Sequence, residues 1–433
     1  MTTLDTSQRV LHGWDPEDPE KWDAGIAWRT LWITTSTLFF GFVTWYLVSA
    51  IAPHLNNIGF NLSQSQLYWL AAVPGLAAGL LRLAWMFLPP VMGTRKLVTF
   101  STLLFIIPML GWGFAVTDTS TPYWWLMTLS VMTGIGGGVF SGFMPSTGYF
   151  FPKSKSGTAL GLQAGLGNLG MSAIQLLAPW LISISLLGLS SLTPQVHTST
   201  GEPMNLHNVA FFFIPWVIAL AIVAWVFLKD VPVKANFRQQ IDIFGNKNTW
   251  ILTIIYVMTF GGLAGFSAQL ALLMRGSFND AAEVFIPWVF LFPLIGSVVR
   301  ALWGPLCDKY GGAIWTFVSG VGMTLSTVVA AVLLGRGEAS VTGFFITMLV
   351  FAFFSGIGNA GTFKQMPMIL SPRQAGGVIG WTGGIAAFGP FFVGICLSVV
   401  SATSFFWYAV VYFAIATVLT LSLIHISEPT RLL

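Results

Sequence analysis

Apolar stretches of twenty residues or more recur from one end of this chain to the other, and no other feature restricts its fold so tightly. An α-helix rises about 1.5 Å per residue, so each stretch is long enough to cross roughly 30 Å of hydrocarbon. Inside hydrocarbon every backbone polar group must be satisfied by the chain itself, which leaves helices as the economical solution. Twelve such spans are predicted, at 32–52, 65–89, 97–116, 122–150, 157–188, 208–228, 248–274, 284–306, 313–335, 341–369, 375–400 and 402–423. Only 8% of the 433 residues are charged, against about 25% in a soluble domain. The opening segment, MTTLDTSQRVLHGWDPEDPEKWDAG, is polar and acidic, and so reads as a cytosolic lead-in with no cleavable signal peptide.

Loop charge predicts the orientation. With the N-terminus cytosolic, that side carries thirteen Lys and Arg residues, and the opposite loops carry only Arg275 and Arg336. This is the bias expected of an inside face. The longest polar connection between spans, KDVPVKANFRQQIDIFGNKN, joins the sixth to the seventh. The expected organisation is a cytosolic N-terminal segment (1–31), a six-helix bundle (32–228), a cytosolic linker (229–247), a second six-helix bundle (248–423) and a tail (424–433). The basic residues are scattered over short loops, so the net charge of +4 points to no nucleic-acid partner. Cys307 and Cys396 have neither disulfide nor metal spacing.

The two halves repeat. In LLRLAWMFLPPVMG and VVRALWGPLCDKYG, Arg82 and Arg300 lie 218 residues apart, as do Trp85 and Trp303. Each arginine precedes a loop glycine, Gly93 or Gly311, by eleven residues. Gly161, Gly165 and Gly170 of GLQAGLGNLG answer Gly380, Gly384 and Gly389 of GWTGGIAAFG, and Met144-Pro145 answers Met366-Pro367. Matched features in register across a central loop are the trace of a transporter with its site at the interface between repeats. The expected fold is therefore an all-α membrane protein of twelve transmembrane helices in two pseudo-symmetric six-helix bundles.

The arginines carry the functional argument. Eleven helical residues put Arg82 and Arg300 about 16 Å from their loops, near the bilayer centre. Arginine there costs about 2.5–3.5 kcal/mol on insertion scales. All fifteen Asp and Glu residues fall in the N-terminal segment, the loops or the helix ends, so none is expected to pair with them. The remaining counter-charge is a bound anion. A guanidinium presents a planar fork that suits a planar oxyanion. Two forks, one from each half, would clamp a small anion and would repel each other without it. That favours exchange over symport, because His12, His54, His197, His207 and His425 all lie at ends or in loops. The same placement leaves no intramembrane haem ligand. No nucleophile–base pair, metal cluster or phosphate loop is evident, and neither an enzyme nor a cofactor is expected.

Other residues admit two readings at this stage. Lys364 either reaches toward the cytosolic interface or attracts and releases the anion along its path. Gly161, Gly165, Gly167 and Gly170, with Gly380, Gly384 and Gly389, allow close helix packing and smooth faces for helices that rock. Asn168 needs a hydrogen-bond partner at its depth, either the substrate or a neighbouring carbonyl. Phe42, Phe140, Tyr256 and Phe260 fall near mid-span, where they would wall a narrow anion site or simply pack.

At these residues the chain resembles the nitrate/nitrite porters of the major facilitator superfamily, and among them the bacterial NarK-type antiporters. The stretches WDPEDPEKW, PGLAAGLLRLAW, AVTDTSTPY, FFPK, AGLGNLG, TFGGLAGFSA and VVRALWGPLCDKYGG carry the likeness, which extends from about residue 14 to 420. It implies nitrate and nitrite as partners bound by Arg82 and Arg300, a hydrogen bond from Tyr256, walls from Phe140 and Phe260 with Phe42 nearby, and a part for Asn168. It also implies exchange beside anaerobic nitrate respiration, in a monomer of the bacterial inner membrane. Ala386 and Pro390 stand where the family signature usually has glycine, and the loop GTRKL lacks the superfamily's acidic residue. The terminal LIHISEPTRLL lacks the usual basic cytosolic tail and reads as a translated sequencing adapter.

Overall fold

The computed structural model describes residues 7–186, 194–232, 242–370 and 372–427. Lys234 and Arg238 of the linker and the last six residues of the tail lie outside the described residues. Twelve helical spans are long and apolar enough to cross a membrane. They are α1 (Ala24–Ile58), α2 (Gln64–Trp85), α3 (Thr94–Ala115), α4 (Tyr123–Gly148), α5 (Thr158–Ser183) and α6 (Asn208–Phe227), then α7 (Lys247–Ala282), α8 (Ile286–Cys307), α9 (Gly312–Leu334), α10 (Glu338–Met366), α11 (Gly377–Val399) and α12 (Ala402–Ser422). Each overlaps one of the spans predicted from hydropathy. The exception to an all-helical chain among the described residues is a short antiparallel pair, β1 (Gln195–Val196) and β2 (Pro203–Met204), between α5 and α6.

Local chemistry sets the helix ends. Asp23 caps the start of α1 through the Ile26 N–H, and Ser63 and Gln66 close a reciprocal box at the start of α2. Gly93 and Gly311, the matched loop glycines, both have left-handed backbone, with φ of 75° and 89°. A side chain there would be strained, which accounts for glycine at both repeats. Around Gly93 a carboxylate that GTRKL lacks arrives from elsewhere. Asp230, just past α6, accepts the Arg95 N–H at 2.8 Å and lies 3.8 Å from the Arg95 guanidinium. The N-terminal segment docks on the same corner, where Leu11 donates to the Asp230 carbonyl and Lys229 to the Gln8 carbonyl.

The count of eleven helical residues from arginine to loop holds for Arg300 and fails for Arg82. The helix bearing Arg300 runs unbroken to Tyr310. The helix bearing Arg82 stops at Trp85, and Pro89-Pro90 start a separate short turn before Gly93. Proline cannot supply the N–H that would continue the helix.

The halves meet through α2 against α11 and α5 against α8. On the side of the arginines away from the N-terminal segment they are sealed. There the Tyr46 hydroxyl donates to the Ala264 carbonyl at 2.9 Å, and Gln175 to Ser267 at 2.7 Å. Gln269 donates to Tyr68 at 3.2 Å, Gln64 to Leu272 at 2.9 Å, and Arg275 to Pro53. On the side bearing the N-terminal segment the joint is looser. Gly161 and Gly304 face open space, and a Cβ on Gly165 would meet Ala301 at an ordinary 3.5 Å.

Candidate functional site: two buried guanidinium groups at the interface of the halves

Arg82 sits in the last turn of its helix and is 1% exposed. Its Nε donates to the Gly137 carbonyl at 2.9 Å, within its own half, and its Nη1 to the Gly383 carbonyl of α11 in the other half. Its guanidinium lies 4.5 Å from the Phe140 ring centroid, 5.4 Å from Trp45 and 5.6 Å from Phe260. Bonds from a charged donor contribute about 1.5–3 kcal/mol each and ring contacts about 0.5–2 kcal/mol. Together these offset the insertion cost of the charge. Nη2 remains without a partner.

Arg300 is 6% exposed and lies 4.6 Å from the Phe363 ring centroid. Its Nη1 donates to the Asn168 amide oxygen at 3.3 Å when that amide is oriented so that its nitrogen donates to the Ala164 carbonyl at 3.2 Å. Asn168, from α5, thus bonds both a neighbouring carbonyl and the arginine of the opposite half. The Tyr256 hydroxyl is within hydrogen-bonding reach of Arg300 and electrostatic reach of Arg82. Arg82 also lies close enough to feel the charge of Arg300. Among the described residues neither Arg82 nor Arg300 forms an ion pair with a carboxylate.

The α7 backbone shapes the floor of this site. Between Tyr256 and Gly262 the helix widens into one π-turn, Val257–Gly261. Such turns insert a residue without ending the helix. Tyr256 and Phe260 stack with centroids 5.4 Å apart and planes 7° apart, and Tyr256 also meets Phe363 at 5.0 Å.

The structure therefore brings Arg82, Arg300, Tyr256, Phe140, Phe260 and Asn168 into one cluster. Phe42 stands behind it, edge-on to Phe140 at 6.3 Å and to Trp45 at 5.3 Å. Lys364 is half-buried next to Phe363, with its Cβ against Gly312 at the head of α9. The glycines divide. Gly167 is pressed by Leu38, Gly170 by the Phe39 carbonyl and Gly389 by the Gly261 carbonyl, each closer than a Cβ tolerates. Gly380 and Gly384 have only ordinary neighbours, Met86 and Leu83. Pro390, in place of a signature glycine, lies against Gly75 of α2. Sequence reading missed Trp45 and Phe363, whose aromatic character is unremarkable in a chain with 37 Phe and 19 Trp. It also missed the carbonyls of Gly137 and Gly383, because backbone acceptors leave no trace in residue type. The GIGGG run in α4 was the available signal, since small residues let a long side chain approach the helix axis.

Two buried guanidinium groups, one from each half, with an open donor on Arg82, aromatic walls and no carboxylate partner can hold a small anion at the joint between the halves. Residues 33–387 match the Major Facilitator Superfamily profile. The probable nitrate/nitrite antiporter NarK2 of Thermus thermophilus is 54% identical over 385 residues, covering 87% of each chain. The nitrate/nitrite transporter NarU of Salmonella typhimurium is 35% identical over 368 residues, covering 83% of this chain and 78% of that one. Among solved structures, a bacterial homolog of the human lysosomal transporter Spinster, inward-facing and occupied, superposes with a TM-score of 0.68 at 15% identity. That match covers 93% of this chain and 98% of the other and shows the likeness of fold.

Proposed function

The chain belongs to the nitrate/nitrite porters of the major facilitator superfamily, multi-pass proteins of the bacterial inner membrane, and from that premise we propose that it exchanges nitrate for nitrite by alternating access. The anion is held between Arg82 and Arg300. The observation that carries this reading is the pair itself: one buried guanidinium from each half, neither paired with a carboxylate, Arg82 against the Phe260 ring and Arg300 within reach of the Tyr256 hydroxyl. Nη2 of Arg82 and the second arm of Arg300 are the donors an anion would take.

Exchange follows from charge. Without an anion the two guanidinium groups oppose further approach of the halves in a low-dielectric site, and with one they attract it. An empty carrier thus resists crossing, while a loaded one crosses in either direction. Carbonyl and ring contacts lower the cost of holding Arg82 empty but do not neutralise it. The bias of basic residues toward the N-terminal side supports a cytosolic N-terminus. With that orientation the sealed side faces outward, and the looser joint beside Gly161 and Gly304 gives the anion access from the cytosol. Phe140, Phe260 and Phe363 confine the space to a small planar ion, and Phe42 backs Phe140.

The test is uptake of labelled nitrate into proteoliposomes that are empty or loaded with nitrite. Uptake confined to loaded vesicles supports exchange. Equal uptake into empty vesicles, driven by an imposed pH jump, assigns proton-coupled symport. Current without a counter-anion would assign a channel.

A further inference from the structure

Asn359 on α10 is fully buried, and neither its amide nitrogen nor its amide oxygen has a hydrogen-bond partner. A buried amide lost from water with nothing in return is a standing cost, and native folds rarely carry one without a reason. Its place on the helix supplies the reason. Residues four apart share a helix face. Four residues earlier, Ser355 donates to the Thr259 carbonyl in the π-turn of α7 at 2.6 Å. Four residues later, Phe363 meets both the Arg300 guanidinium and the Tyr256 ring. Asn359 therefore lies on the stripe that runs from the π-turn to Arg300, one turn from the site.

The internal repeat sharpens this. Gly356-Ile357-Gly358-Asn359 answers Gly134-Ile135-Gly136-Gly137, at the 222-residue spacing that also relates Met366 to Met144. The matched glycines are retained where neighbours press. A Cβ on Gly134 would strike Ala77 and one on Gly136 the Gly41 carbonyl, and likewise Gly356 meets the Gly296 carbonyl and Gly358 meets Ser319. The repeat departs from glycine at its fourth position. In the first half that position is Gly137, whose carbonyl takes Nε of Arg82. In the second half it is an amide side chain with both atoms open.

We propose that Asn359 is an anion-contacting residue that sets the discrimination between nitrate and nitrite. Its amide nitrogen donates to an oxygen of the bound anion, while its amide oxygen takes an N–H of Arg300. A guanidinium fork from each half engages two oxygens of a planar anion. Nitrate has a further oxygen to accept from the amide, and nitrite does not. The asymmetry of the halves at this position thus becomes selectivity.

This inference rests on the transport reading above, and the experiment separates the two. Nitrate and nitrite KM are measured by counterflow in proteoliposomes for the parental protein, Asn359→Ala and Asn359→Ser, and nitrate and nitrite binding to each purified protein is followed by calorimetry. The expected result for Asn359→Ala is a nitrate KM raised about tenfold with a smaller change for nitrite, as loss of one hydrogen bond to a charged group entails. Asn359→Ser keeps a shorter donor and should fall between. Unchanged KM values for both anions in a variant with the parental melting temperature overturn the proposal. Should Asn359→Ala not fold, the serine variant decides, and a parental ratio of nitrate to nitrite affinity in it overturns the proposal. If the parental protein binds both anions but exchanges neither, the transport reading fails while calorimetry still judges Asn359. If it binds neither anion, both fall.

Discussion

Replacing Arg300 by lysine keeps the charge and removes the fork, and the surroundings of Arg300 fix what that should do. One arm of the guanidinium donates to Asn168 at 3.3 Å, and its face covers the Phe363 ring at 4.6 Å. A lysine ammonium is a single point. If it serves Asn168 or the anion, the other loses a charge-assisted bond of about 1.5–3 kcal/mol. At about 1.4 kcal/mol per tenfold, the KM for nitrate should rise roughly ten- to a hundredfold. Arg300→Ala additionally removes the charge opposite Arg82 and leaves Asn168 without its donor, so exchange should cease. The assay is counterflow of labelled nitrate into nitrite-loaded proteoliposomes at matched protein content. Arg300→Lys with the parental KM, or Arg300→Ala with the parental rate, would refute the two-arginine clamp.

Three further outcomes are expected. Gly170→Ala sets a Cβ 2.2 Å from the Phe39 carbonyl and should cost about 1–3 kcal/mol, read as a lower melting temperature in detergent, whereas Gly161→Ala, with nothing within 4 Å, should melt like the parent. Tyr46→Phe deletes a bond across the sealed side worth about 0.5–1.5 kcal/mol. It should speed labelling of a cysteine introduced by Ala268→Cys in a background lacking Cys307 and Cys396. Asp230→Ala removes the cap on the Arg95 N–H at 2.8 Å and should lower stability by about 1 kcal/mol, with the nitrate KM unchanged.

Much of this architecture was legible because membrane insertion writes itself into composition. A span must be long and apolar, so each of the twelve could be found by hydropathy alone. The arginines were legible for the opposite reason, since a charge in a run such as LLRLAWMFLPP is too costly to be incidental. What stayed hidden depends on backbone. The helix break after Trp85 shows only as a proline pair, and the π-turn in VMTFG has no signature in side-chain type. Asp230 could not be matched to the missing acid of GTRKL, because 135 residues separate it from Arg95. Phe363 and Trp45 were lost among many aromatics. Asn168 was recognised as needing a partner, but which partner depended on how α5 meets α8.

The five-residue turn Val257–Gly261 has a consequence for how the site and the seal stay in step. Everything beyond it on α7, including the carbonyls of Ala264, Ser267 and Leu272 that hold the far side shut, is phased by that single widened turn. Tightening that turn into regular α-helix with all five of its residues kept would swing the following segment by about 100° about its axis, the rotation of one helical residue. Tyr46, Gln175 and Gln64 would then point at the wrong acceptors, even though no residue touching the anion had changed. The widened turn is thus the phase-setter between cargo and closure.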